Sequence, residues 1–255
     1  MRALGHKGSR MRFSRIFLVL IFCAPCTAAV AVQPLRVAVS ASWGMPIAKI
    51  ERENTTQGIV HDLYAELGRA LGRPVTYVVL PRKRLDAAVL AGDIDLRCYT
   101  NPQWTDIADR LRWSKPLFEI ANVVIARADV AQPANIDGLP EKAPVSTVLG
   151  YSYAVLEDYF RRGRLLRDES SDEEKLMLKV TAGRTSYGIA LDLAVDWYRK
   201  TTPRHVLADW TLPVSRTEMY CAVPLQGRVD ADSIFSALEQ LRKRGRIEAI
   251  LKAYR

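Results

Sequence analysis

Arg82, the loop Tyr99–Trp104, the turn Gly150–Tyr153 and Asp192 are the places where residue type and position could do chemistry, and that chemistry is recognition of a small polar molecule. Arg82 follows Pro81 at the end of a strand-like run, where a guanidinium suits an anionic group. Lys83 and Arg84 beside it read as solvated charges at a helix start. Tyr99-Thr100-Asn101-Pro102-Gln103-Trp104 follows a short apolar strand, and Pro102 keeps Asn101 out of the helical region. A loop in that position in an open α/β sheet is where ligands bind. Gly150-Tyr151-Ser152-Tyr153 opens a helix expected to run through Phe160; backbone N–H groups at such a start hold anions, and Ser152 serves equally well as the N-cap. Asp192 ends a strand-like run and is either a ligand contact or a helix cap. His61 and His205 have no metal-ligand spacing, and no cofactor is expected. No constellation of catalytic groups stands out.

The elements that must position these groups alternate between strand and helix. Leu35–Ser40 and Val75–Leu80 are β-branched runs. Between them Glu51–Gln57 is polar and reads as a hairpin tip, and Leu63, Leu67, Ala70 and Leu71 recur at helical spacing before Gly72. Arg84–Ala91 is helix-like and stops at Gly92, a residue suited to the left-handed position after a helix. Asp93-Ile94-Asp95 leads into the strand Leu96–Tyr99. A further helical turn follows Pro102, and Trp113–Leu117 is extended. This order predicts a parallel sheet with right-handed crossovers. Phe118–Ala126 crosses toward a second lobe, where Val145–Leu149 is the next strand. Ser171-Asp172-Glu173-Glu174 begins a helix with a capping residue and acids in its first turn. Leu193–Lys200 is helical, Thr201–Ser215 irregular with Pro203 and Pro213, and the tail holds two helices around Gly245.

The chain has 255 residues, 49% hydrophobic and 25% charged, enough for one large or two small domains with real cores. Its first 31 residues stand apart. Arg2, Lys7, Arg10, Arg12 and Arg15 come with no acid, Ile16–Phe22 is wholly apolar but too short to span a bilayer, and Ala28, Ala29 and Ala31 follow. That pattern predicts a cleaved secretory leader and export to an oxidising compartment. Phe22 before Cys23 and Pro25 before Cys26 argue against lipidation. Without the leader, 32 basic residues (37 less those five) face 28 acids, which is no footprint for nucleic acid.

Leu90, Gly92 and Asp95 before a strand, Trp113-Ser114-Lys115-Pro116-Leu117 after the polar loop, Gly58-Ile59-Val60-His61-Asp62-Leu63, Thr185–Asp192, Tyr220–Pro224 and the terminal helix pair together resemble the bacterial extracellular solute-binding proteins of family 3. The likeness covers nearly the whole mature chain. It implies an α/β, two-lobed periplasmic binding protein-like fold of type II, each lobe a mostly parallel sheet flanked by helices, joined by two hinge strands. Lobe 1 would comprise residues 32–118 and 220–255, lobe 2 residues 119–219. The function implied is capture of a small polar solute, amino acid-like or amine-containing, and delivery to an ABC transporter by a monomer. The resemblance places Trp43, Arg82, Tyr99, Thr100, Trp104, Gly150, Ser152, Tyr153 and Asp192 around the ligand, with Trp43 packing on it and Asp192 pairing with its amino group. It also makes the strands of Cys98 and Cys221 neighbours, leaving open a disulfide or two separate buried thiols.

The chain departs from the family pattern at one place. Ile107 stands where amino acid binders carry an Arg for the ligand carboxylate, and Arg110 lies three residues away. Loss of a bidentate Arg–carboxylate pair should cost a standard amino acid much of its affinity. Two further readings follow. One is a ligand sensor or degenerate-cleft protein acting through a membrane partner. The other is an enzyme of the cyclohexadienyl dehydratase type, with Asp106 or Glu119 as the cleft acid.

Overall fold

The computed structural model of the protein describes Gly5 and residues 32–204 and 206–255. The expected leader, with Cys23 and Cys26, and His205 lie outside the described residues.

Strand β1 (Leu35–Ser40) is buried at every position except Arg36 and pairs in parallel with β4 (Val75–Leu80). Between them come the hairpin β2 (Lys49–Glu51) and β3 (Asn54–Gln57) and helix α1 (Ile59–Leu71), whose buried Ile59, Val60, Leu63, Tyr64 and Leu67 form one apolar stripe. Gly58 caps that helix with φ +120°, and a Cβ there would lie 2.6 Å from the Ile47 carbonyl oxygen, so only glycine fits. Helix α2 (Arg82–Leu90) begins right after Pro81, two residues before the start read from sequence. Strand β5 (Arg97–Thr100) follows; the Ala38 N–H donates to the Leu96 carbonyl at 2.9 Å, joining β1 to this segment. Short β6 (Leu111–Trp113) comes next.

Two long strands, β7 (Phe118–Ala126) and β11 (Leu212–Pro224), run antiparallel. The first part of β11 pairs with β7, and its later part pairs with β5 and β6. They therefore serve both lobes. On the far side β8 (Ala143–Val148), β9 (Leu165–Ser170) and β10 (Tyr187–Leu191) complete the order β7-β10-β8-β9, with β8 parallel to both its neighbours and β10 antiparallel to β7. Helices α3 (Glu157–Arg161), α4 (Glu173–Thr181) and α5 (Asp192–Thr201) belong to this lobe. The tail forms α6 (Ala231–Lys243) and α7 (Arg246–Tyr254), which pack on α1.

Two expectations about elements change. Strand β11 already begins at Leu212, although Pro213 suggested irregular chain through Ser215; a break in register between Pro213 and Ser215 accommodates the proline. The helix expected from Ser152 starts only at Glu157. Tyr153 holds the intervening chain back: its ring is buried in the second lobe, its hydroxyl accepts from the Val148 N–H at 3.0 Å, and its own N–H donates to Glu157.

Cys98 and Cys221 are disulfide-bonded across β5 and β11, closing a loop of 123 residues. Close by in the same lobe, the Asp95 carboxylate is 1% exposed and takes charge-assisted hydrogen bonds from Arg36 and Arg228. Desolvation raises that carboxyl, but the bonds from the two guanidinium groups and the Arg36 N–H together outweigh it and hold it below the ordinary carboxylate range.

Candidate functional site: a cavity between the lobes

A cavity of about 800 Å³ opens where the loop after β1 and the end of β5 face the second lobe. The first lobe contributes Ser42, Trp43, Met45, Ile47 and Tyr99. The second contributes Val148, Tyr151, the start of α4 from Ser171 to Glu174, Leu191 at the end of β10, and Trp197 and Tyr198 on α5. Among the described residues no Lys, Arg or His lines it. The walls are therefore aromatic and apolar, with carboxyls and hydroxyls as the polar groups, a composition typical of small-molecule sites.

Tyr99 carries the first wall. Its backbone adopts φ +54°, a left-handed conformation that costs a bulky residue about 1–3 kcal/mol and persists only where the surroundings impose it. The disulfide at the adjacent Cys98 and the pairing of Thr100 with Tyr220 fix the chain on either side. The ring meets Trp43 edge-on at 5.5 Å and stacks on Phe118 at 6.3 Å. Its hydroxyl is enclosed and has no hydrogen-bond partner among the described residues, and burial drives its pKa up. Leaving such a group unsatisfied costs about 1–3 kcal/mol, so the arrangement is not explained by stability.

Glu173 carries the second wall. It is the first residue of α4, after Asp172, whose side chain caps the helix by accepting from the Lys175 N–H at 2.8 Å. Glu173 is half-buried by area, and its open surface faces the cavity. The protein around the carboxyl desolvates it and pushes its pKa up to about 8; the Leu191 N–H pulls the other way through a long bond of 3.4 Å, and the charge of Asp172 adds to the rise. Its surroundings bias this carboxyl toward the protonated form.

Of the residues singled out in the sequence, Trp43 and Tyr99 line the cavity and the others do not. Arg82 is exposed, its guanidinium lying over the Trp104 ring at 5.6 Å, and Trp104 itself packs half-buried against the core. Thr100 is fully buried and Gly150 sits in a left-handed turn at φ +77°. Ser152 is exposed and caps no helix, because α3 starts later. Tyr153 turns into the second lobe. The Asp192 carboxylate is engaged elsewhere: Oδ1 accepts from the Ala121 and Leu193 N–H groups at 3.0 and 2.9 Å, and Oδ2 lies 3.3 Å from the Arg255 guanidinium. Ile107 packs against the cluster of Leu85 and Val89, and Arg110 is exposed beside Asp109, so no guanidinium takes the missing Arg's place in the cavity. Asp106 is exposed and Glu119 pairs with Arg216; neither reaches the cavity.

Glu173 and Trp197 line the cavity without having been singled out in the sequence, and Tyr151 does so from within the Gly150–Tyr153 turn. Glu173 was legible only as an acid in the first turn of a helix; nothing local showed that this turn faces the other lobe.

No family profile matches the chain, and no curated protein matches it in sequence. Solved structures do match. An ancestral cationic amino acid solute-binding protein superposes with a TM-score of 0.71 at 16% identity, over 87% of this chain and 95% of its own. The GluR0 ligand-binding core in complex with L-glutamate gives 0.69 at 13%, over 88% and 99%. An ancestral amino acid-binding protein described as a precursor of cyclohexadienyl dehydratase gives 0.66 at 16%, over 87% and 94%. At these identities the likeness is one of fold, and that fold is the two-lobed α/β architecture of periplasmic binding proteins.

Proposed function

We propose that the protein is a periplasmic solute-binding protein that captures a small amine-containing solute between its lobes and delivers it to an ABC transporter. The observation that carries this reading is the cavity between the lobes, walled by Trp43, Tyr99, Tyr151 and Trp197, supplied with carboxyls and lined by no cation among the described residues. A free α-carboxylate would find no counterion there, whereas an amine would find several acceptors. Lobe 1 (residues 32–118 and 220–255) and lobe 2 (residues 119–219) would close by rotation about β7 and β11. Export by the leader places the chain in an oxidising compartment, in keeping with the Cys98–Cys221 disulfide. Among the described residues no helix is long and apolar enough to cross a membrane. The membrane partner would be an ABC permease, or a sensor if the solute is read rather than transported, and the protein would act as a monomer.

The test is a thermal-shift screen of the mature chain, unfolded and refolded to strip bound solute, against amines, polyamines, amino acids, dicarboxylates and prephenate. A ligand at a hundred times its Kd adds about 2.7 kcal/mol, which moves the midpoint by several degrees. A hit that also closes the lobes in solution scattering supports the reading. A folded protein that no solute stabilises would sink it.

Glu173 favours a second reading, an enzyme of the dehydratase type. A carboxyl at the cavity wall biased toward its protonated form is suited to general acid catalysis near pH 7. Against it, prephenate is a dicarboxylate, and the cavity lining holds no cation among the described residues to receive it. Turnover of prephenate that disappears in Glu173→Gln would decide for the enzyme.

A further inference from the structure

Two polar groups at the cavity wall, one enclosed behind it and one facing it, are little used by the protein's own structure. The Tyr99 hydroxyl is enclosed without a partner on a residue only 8% exposed, and Glu173 has one long backbone bond. They come from opposite lobes, Tyr99 from β5 and Glu173 from α4. Around them lie aromatic surfaces, Trp43 and Tyr151 in particular. A desolvated carboxyl beside aromatic faces is complementary to an organic cation, because ring quadrupoles attract positive charge and a carboxylate neutralises it. An anion would meet the carboxyls of Glu173, Asp172 and Glu174 at this wall, of which Asp172 is already paired with Lys175 at 3.0 Å.

We propose that Glu173 is the specificity-determining group of the cavity, the counterion of an organic ammonium ion whose apolar body lies on Trp43 and Tyr151. This rests on the solute-binding reading and names its ligand class. The charge balances: the ionised carboxyl and the ammonium form a neutral ion pair. The groups that face Glu173 set the range over which this operates. Burial and the charge of Asp172, the N-cap of its helix and itself paired with Lys175, oppose ionisation; the Leu191 N–H on β10 supports it; Tyr99, Tyr151 and Tyr153 stay neutral in that range. Arg82 on α2 acts on Tyr99 and Tyr151 from outside the cavity. Because the free carboxyl holds its proton up to about pH 8, affinity for a cation rises as pH approaches that value and levels off above it.

The experiment is isothermal titration calorimetry of the mature chain at pH 6 and pH 8.5. The probes are 2-phenylethylamine, a graded set of alkylamines and choline, whose charge is permanent, against 2-phenylethanol and phenylalanine. The expected result is binding of cations but not of the alcohol, at least tenfold tighter at pH 8.5 than at pH 6. Glu173→Gln should fold, weaken the cations at least tenfold at pH 8.5 and lose the pH dependence. Asp106→Asn, exposed and outside the cavity, should bind as the parent does. The proposal is overturned if the alcohol binds as well as the amines, if Glu173→Gln keeps the affinity for cations, or if no cation binds. Should a zwitterion or anion from the wider screen still close the lobes, the solute-binding reading survives and only this inference falls; if no solute of any class binds the folded chain, both fall.

Discussion

Asp95 and Glu173 are two deep-set carboxyls with opposite surroundings. Asp95 lies beneath β1 and takes five hydrogen bonds, from Arg36 and Arg228 and one backbone N–H. Glu173 lies at the cavity wall with a single long bond from a backbone N–H. Desolvation acts on both, yet one carboxyl is held below its ordinary range and the other is pushed well above it. The difference teaches that depth alone says little about role. A buried carboxyl whose acceptor sites are filled by the protein is part of the scaffold. One whose sites are left open toward a cavity is available to a ligand.

The contrast can be broken first on the scaffold side. Replacing both Cys98 and Cys221 by serine frees a loop of 123 residues and should cost roughly 5 kcal/mol by chain entropy, read as a lower denaturant midpoint. If Tyr99 owes its left-handed backbone to that bond, cation binding should weaken in the same variant. Asp95→Ala strands two guanidinium groups and should destabilise by about 3 kcal/mol or more, again by denaturant titration.

The pH dependence of stability sharpens the comparison further. Asp95 has a depressed folded-state pKa, so its stabilisation is fully present above its unfolded value near 3.8 and is lost as pH falls through the folded value. Glu173 has a raised one, so the folded protein holds its proton where the unfolded chain has lost it. Stability should therefore decline as pH rises from about 4.5 to about 8, in the absence of ligand. Glu173→Gln should remove that decline, and a slope that persists in the variant would show another group to be responsible. The smallest expected effect is Tyr99→Phe. Deleting an enclosed hydroxyl with no partner should leave the free protein equally stable or about 1 kcal/mol more so, read by thermal melts without ligand.

Much of the fold was legible because periodicity and turn chemistry are local. The stripe Leu63, Leu67 and Leu71 and the glycine stops at Gly72 and Gly245 place helices without reference to the rest of the chain. Pro213 misled because a proline weighs against a strand unless a register break receives it, and that break depends on the partner strand. Strand β9 was passed over because Leu165–Ser170, in Leu-Leu-Arg-Asp-Glu-Ser, alternates too weakly to announce itself; it is defined by its pairing with β8. The candidate site was less legible still. Of the residues singled out in the sequence, Trp43 and Tyr99 line the cavity. Asp192, on the same evidence of position after a strand, turned out to be held by Ala121, Leu193 and Arg255.

By itself the sequence determined the alternation of strands and helices, the two-lobed architecture it resembles, and the absence of an Arg at Ile107. Each of these follows from residue order along the chain. Only the tertiary structure decided which polar groups are spent on the protein and which are left to a ligand. Whether a carboxyl is satisfied depends on atoms brought to it from distant segments, as Arg228 is brought to Asp95 and Tyr99 is brought to the cavity opposite Glu173.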